Sequence, residues 1–147
     1  MPVDRDIVQR KITLIAEDLL RLQPFARLPL EDYLARTEVQ LATERLLERV
    51  IGRMLDINYH LAVELGGVAP RDFHDSFLKL VELGILPAEF ARRIARAAGL
   101  RNRLAHEYND LDAAKVHEAA AGTLADVPVY LDDVQQFLDR MAIADGP

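Results

Sequence analysis

A cation, an amide, an imidazole and a phenol fall within eight residues of the sequence, as Arg101, Asn102, His106 and Tyr108. Imidazole is the side chain best suited to moving a proton near neutral pH, and guanidinium the one best suited to holding a phosphate through two parallel hydrogen bonds. Read as a helix, the stretch brings Arg101 and Tyr108 to within about 20° of each other around the axis and makes Asn102 and His106 an i,i+4 pair. Such a group suits phosphodiester cleavage in RNA. His106 would move the proton of the ribose 2′-hydroxyl or of the leaving oxygen, and Arg101 would neutralise the charge developing on phosphorus. That chemistry needs no metal. Proton transfer of this kind contributes roughly 10²–10⁴-fold, so positioning must supply the rest.

The surroundings of the motif are basic in an otherwise acidic chain. Residues 91–105 hold Arg92, Arg93, Arg96, Arg101 and Arg103 and no acid, so the remainder carries −11 against a formal net charge of −6. Net acidity argues against a broad nonspecific coat of nucleic acid, whereas one local patch could hold a single phosphate-bearing ligand. Arg92, Arg93, Arg96 and Arg103 read first as a solvated helix face; Arg96 and Arg103 are the candidates among them for steering phosphate. A second polar knot, Asp56, Asn58, Tyr59 and His60, lies upstream. Asp56 and His60 form an i,i+4 pair whose simplest role is a structural hydrogen bond; in a supporting role, Asp56 would orient His106 from across the fold. His74 and His117 read as surface residues. The histidines show no metal-ligand spacing, and no Gly-rich phosphate loop or nucleophile elbow occurs, so neither metal nor cofactor is expected. The absence of cysteine excludes disulfides, thiol catalysis and thiolate zinc sites.

The elements that must position these groups are helices. Ile7, Val8, Ile12, Ile15, Leu19 and Leu22 make one apolar stripe on a helix expected to end before Pro24, with residues 25–29 as a connection. A long helix is expected from about Leu30 to Leu65, stopped by Gly66-Gly67. Phe73, Phe77, Leu80 and Val81 mark a short third helix, opened near Pro70 and closed by Gly84 as a left-handed cap. Pro87 opens a fourth, which ends near Tyr108 and is open to a local break at Gly99. Asp110 or Asp112 can cap a last stretch running from Val116 through Met141, which Pro128 should kink or split. No strand pattern appears. The expectation is an all-α, antiparallel up-and-down bundle of four to five helices, forming a single domain over residues 1–147. No apolar run approaches a membrane span and the first residues lack a signal-peptide core, which points to the cytoplasm.

The pattern Arg-x-x-x-x-His-x-Tyr at Arg101, His106 and Tyr108, with Asn102 directly after the arginine, resembles the signature of the HepT toxins of the HEPN superfamily. Context strengthens it: a long helix, a Gly-Gly turn, Pro-x-x-Phe-x-x-x-Phe-x-x-Leu from Pro70, a Gly-closed hairpin, then Arg-Asn-Arg-Leu-Ala-His-Glu-Tyr. The resemblance covers nearly the whole chain. It implies a HEPN-like homodimer whose two motif segments meet in a cleft, and a metal-independent endoribonuclease acting as the toxin of a toxin–antitoxin pair. Arg101 and His106 would be catalytic and Asn102 supporting. It also implies an MNT-type nucleotidyltransferase antitoxin that neutralises the toxin by transferring AMP to the motif tyrosine, here Tyr108. Phosphate placed beside Arg101 would block the site meant for RNA phosphate. The competing reading is a non-catalytic helical module that docks a nucleotidyltransferase or a nucleotide, and it draws on the acidic net charge. A purely structural helical dimer is the third.

Overall fold

Apolar side chains spaced three and four apart wind the chain into seven helices among the described residues: α1 (Arg5–Ala26), α2 (Leu30–Leu34), α3 (Thr37–Gly66), α4 (Phe73–Glu82), α5 (Ala88–Ala95), α6 (Ala97–His106) and α7 (Ala113–Ala144). The computed structural model describes residues 3–106 and 111–144, without the side chains of residues 97, 98, 102, 105 and 106. No strand occurs among the described residues, and none of their helices is long and apolar enough to cross a membrane.

Cross-helix pairs fix the directions. The Asp4 backbone N–H donates to His60 Nε2, Lys11 pairs with Asp56 and Asp18 with Arg53, so numbers fall along α3 as they rise along α1, and the two are antiparallel. Tyr130 of α7 reaches Met54 and Asn58, while Val116 and Ala120 share a cluster with Leu46 and Leu47, so α7 runs parallel to α3. The chain reverses between them through the α4–α5 hairpin and α6, giving the antiparallel helical bundle expected from the sequence. One apolar cluster joins Ile15, Met54, Ile57, Phe77, Phe90 and Tyr130; a smaller one joins Leu22, Leu47, Leu104 and Val116 at the other end. Each fully buried aliphatic side chain contributes about 1.5–3 kcal/mol relative to exposure.

Helix ends follow side-chain chemistry. Asp4 caps α1 by accepting from the Ile7 N–H, Asp72 caps α4 by accepting from Asp75, and Asp112 caps α7 by accepting from Ala114. The start of α4 therefore falls at Asp72 rather than near Pro70. Gly84, at φ 75°, closes α4 with the Ile85 N–H on the Leu80 carbonyl and its own N–H on that of Val81, the left-handed cap expected there.

Three further boundaries differ from the sequence reading. Pro24 lies inside α1, which continues through it instead of ending before it; α7 likewise is not split at Pro128. Each proline forfeits one backbone bond, but buried residues on both sides, Leu22 and Ala26 around one, Val127 and Tyr130 around the other, hold the helix together. The long helix expected from Leu30 breaks at Arg36, which is extended, and Gln40 Nε2 donates to the Tyr33 and Leu34 carbonyls at the break. Tyr33, fully buried, takes α2 away to pack its ring against that of His117, tilted by 48° with centroids 4.8 Å apart. The fourth helix breaks at Arg96, not at Gly99. Its two buried stripes explain the position: nine residues separate Ala91 from Leu100 and Ala95 from Leu104, which on a continuous helix is about half a turn out of phase. Only a break lets α5 pack on α4 while α6 lays Leu104 onto the second cluster.

Candidate functional site

Arg101 leaves α6 half-buried, with its guanidinium 5.8 Å from the centroid of the Phe73 ring, a distance at which a cation is attracted to the aromatic face. Its Nε is buried and has no hydrogen-bond acceptor among the described residues. A buried N–H without an acceptor costs about 1–3 kcal/mol, which an anionic oxygen placed there would relieve.

Phe73 is held from behind by a buried polar chain. The Tyr130 hydroxyl donates to Asn58 Oδ1 at 2.6 Å, Asn58 Nδ2 donates to Ser76 Oγ at 3.1 Å, and Ser76 Oγ donates to the Phe73 carbonyl at 2.6 Å. Burial raises the Tyr130 phenol well above its ordinary value, so it stays a neutral donor. The chain ties α7, α3 and the first turn of α4 to the ring on which Arg101 rests.

Beside Arg101 opens a cleft of about 250 Å³ lined by Arg45, Glu48, Arg49, Gly52, Arg53 and Asp56 of α3. These positions recur every three or four residues and so form one face of the helix. Behind them Asp18 of α1, completely buried, meets three guanidinium groups: Arg53 at 2.7 Å, Arg21 at 2.9 Å and Arg49 at 3.0 Å. A second cleft, of about 580 Å³, is lined by Tyr59, Arg71, Asp72, Phe73, His74 and Arg96 among others. There burial and the carboxylates of Asp72 and Asp75 push the Tyr59 phenol up. Asp75 accepts from the Arg71 N–H at 2.9 Å, and that bond holds its carboxyl below the ordinary range.

Arg101 and Asp56 thus line one cleft, while Arg96 lines the other from the α5–α6 junction. Arg103 is exposed on α6. The α6 backbone carries Asn102 and His106, whose side chains lie outside the described ones, and Tyr108 lies outside the described residues. The Asp56–His60 pair does not form. Asp56 pairs with Lys11 at 3.2 Å and His60 Nε2 accepts from the Asp4 N–H at 3.0 Å, because α1 packs against this face of α3 and offers each a partner of opposite character. His117 is likewise not a free surface residue: its Nε2 lies 2.7 Å from the Leu28 carbonyl, which can only accept, so that nitrogen carries the proton. His74 is exposed. Arg93 is occupied by Asp126 at 3.2 Å, in keeping with a surface role. No group of three or more acids and histidines among the described residues converges as a metal site would.

The sequence reading missed Arg45, Arg49, Arg53 and Asp18. Two signals were present: arginines at strict i,i+4 spacing across Gly52, and an acid on the otherwise apolar stripe of α1.

The fold is that of the HEPN toxins. A chain of a toxin–antitoxin complex solved with AMP-PNP superposes with a TM-score of 0.81 at 21% identity, covering 90% of this chain and 99% of that one. A chain of the complex of a tri-AMPylated Shewanella oneidensis HEPN toxin with its MNT antitoxin superposes at 0.80 and 22% identity, covering 90% and 98%. The model of the family described as Ribonuclease HepT-like matches residues 15–141, and the chain belongs to that family. A tRNA nuclease HepT from Aphanizomenon flos-aquae is 36% identical over 132 residues, 90% of each chain.

Proposed function

We propose that this protein is the toxin of a toxin–antitoxin pair and acts as a metal-independent endoribonuclease through Arg101 and His106. The observation that carries the reading is Arg101 itself: a guanidinium packed on Phe73, at the edge of an arginine-lined cleft, with a buried N–H that no described residue accepts. The likeness to a tRNA nuclease over 90% of the chain supports it. In the reaction, O2′ of one ribose attacks the adjacent phosphorus as the bond from phosphorus to the next ribose O5′ breaks. His106 takes the 2′ proton, a proton is returned to O5′, and the products are a 2′,3′-cyclic phosphate and a free 5′-hydroxyl. Arg101 stabilises the extra negative charge on the phosphoryl oxygens. In this reading Asn102 supports the pair, Asp56, on the α3 face that lines the cleft, orients His106, and Arg96 and Arg103 steer the strand.

Two copies bring their motif segments together, and an MNT-type nucleotidyltransferase silences the site by transferring AMP from ATP to the Tyr108 hydroxyl, releasing pyrophosphate. The added phosphate would compete for Arg101. The tri-AMPylated Shewanella oneidensis HEPN toxin, solved in complex with its MNT antitoxin, supports this part.

Growth arrest and intact mass test both halves, with the chain expressed alone and beside a nucleotidyltransferase read from the neighbouring frame. The expectation is arrest by the wild type, relief accompanied by mass gained in AMP-sized steps, and loss of that gain in Tyr108→Phe. His106→Ala should cut RNA about 10²–10⁴-fold more slowly. Undiminished RNA cleavage by purified His106→Ala would overturn the mechanism. Intact RNA with a stable nucleotidyltransferase complex would favour the docking-module reading instead.

A further inference from the structure

The buried Asp18 carboxylate has no counterpart in the motif, yet it organises the floor of the cleft beside Arg101. It is wholly shielded from water and engages one nitrogen from each of Arg21, Arg49 and Arg53. An isolated buried carboxylate would be costly; three guanidinium groups around it over-compensate the charge and leave a local surplus of two positive charges. Each guanidinium has five N–H donors in a rigid plane. Arg53 gives one nitrogen to Asp18 in a 2.7 Å hydrogen bond, and Arg49 meets it at 3.0 Å as an ion pair without aligned hydrogen-bond geometry. Among the described residues no hydrogen bond engages the other donors of the two groups, and both line the cleft.

The floor between them is open. Gly52 lies on the same face, and a Cβ built there meets nothing within 4 Å. The two acids lining the cleft are already engaged, Glu48 by Arg45 at 3.4 Å and Asp56 by Lys11 at 3.2 Å, so neither neutralises Arg49 or Arg53 directly. Arg49 and Arg53 stand one turn apart, about 6 Å along the axis, which is comparable with the spacing of successive phosphates along an RNA strand.

We propose that Arg49 and Arg53 form a second phosphate subsite, adjoining Arg101 and held in place by Asp18, which grips the RNA backbone beside the scissile phosphate. Resting on the ribonuclease reading for the identity of the strand, it assigns Arg49 and Arg53 as binding residues and Asp18 as a positioning residue. Recognition is of the backbone and independent of base.

The test uses a fluorescein-labelled 2′-O-methyl RNA of about twelve nucleotides, which cannot be cut through its 2′ oxygen. Affinity is followed by anisotropy as salt is raised, for the wild type, Arg49→Gln, Arg53→Gln and Asp18→Asn. Each arginine variant is expected to bind roughly fivefold more weakly at low salt and to lose about 0.7 from the slope of log K against log salt, the loss of one phosphate contact to a single strand. Asp18→Asn should lower both affinity and slope with Arg49 and Arg53 intact, an effect specific to positioning. If it fails to fold, the two arginine variants decide alone, since each leaves Asp18 two guanidinium partners. Unchanged slopes in both arginine variants, or no binding by the wild type, would overturn the subsite. Cleavage of unmodified RNA is scored separately. Wild-type cleavage with unchanged slopes sinks the subsite and spares the ribonuclease; binding with altered slopes but no cleavage does the reverse.

Discussion

At the scale of single residues, the bundle spends its ionisable groups in two ways. Some are tied to the backbone at helix starts, and Asp75 is the clearest. The Arg71 backbone N–H donating to it is the largest influence on its carboxyl, with the Arg71 guanidinium adding to it, and its folded value lies below the ordinary 3.8. A carboxylate with a depressed folded value stabilises the fold fully above its unfolded value and loses that contribution as pH falls through the folded one. Asp75→Asn should therefore be less stable than wild type at about pH 6, with the gap closing toward about pH 3. Urea midpoints at the two pH values measure it, and a gap independent of pH would show that the Asp75 charge is not what matters. Other groups, Asp18 foremost, are buried to hold arginines. Of the residues named from the motif, Arg101 was legible because guanidinium, imidazole and phenol cluster so rarely within eight residues. Asp18 was not, because a single acid among Ile15, Leu19 and Leu22 reads as an exception to a stripe until its three partners from two helices are seen.

At the scale of elements, the long-range polar chain from Tyr130 through Asn58 and Ser76 to Phe73 is a commitment in the core. Asn58 is completely buried and serves both neighbours at once. Asn58→Ala removes an acceptor and a donor together and leaves a small void, so a loss of about 2–4 kcal/mol is expected in denaturant unfolding. A loss below about 1 kcal/mol would mean that Tyr130 and Ser76 find other partners at little cost. Helix existence and stops were readable from periodicity and from Gly67 and Gly84, both at positive φ. The interior position of Pro24 was not, since a proline ends a helix locally but tertiary burial on either side overrides it. The pairing of Asp56 with His60 failed for a related reason: spacing along one helix says which groups can meet, and the α1 side chains decide whether they do.

At the scale of the whole molecule, the break at Arg96 links the α4–α5 hairpin, which packs into the larger cluster, to the Arg101 helix, which packs into both. One alanine inserted directly after Arg96 would rotate α6 by about 100° and withdraw Leu104 from its cluster and Arg101 from Phe73 together. We expect a melting temperature lower by about 5–10 °C, while the same insertion after Val68, in the exposed connection between α3 and α4, leaves it within about 2 °C. Equal melting temperatures for the two insertions would show that the phase of α6 is not fixed by packing. The consequence for inheritance is an asymmetry. Between Ala91 and Leu104 the chain is free to exchange letters wherever a side chain meets solvent, but not to change their number. Among descendants of one ancestral chain, gaps should gather around Val68 and stay out of the stretch that leads to Arg101.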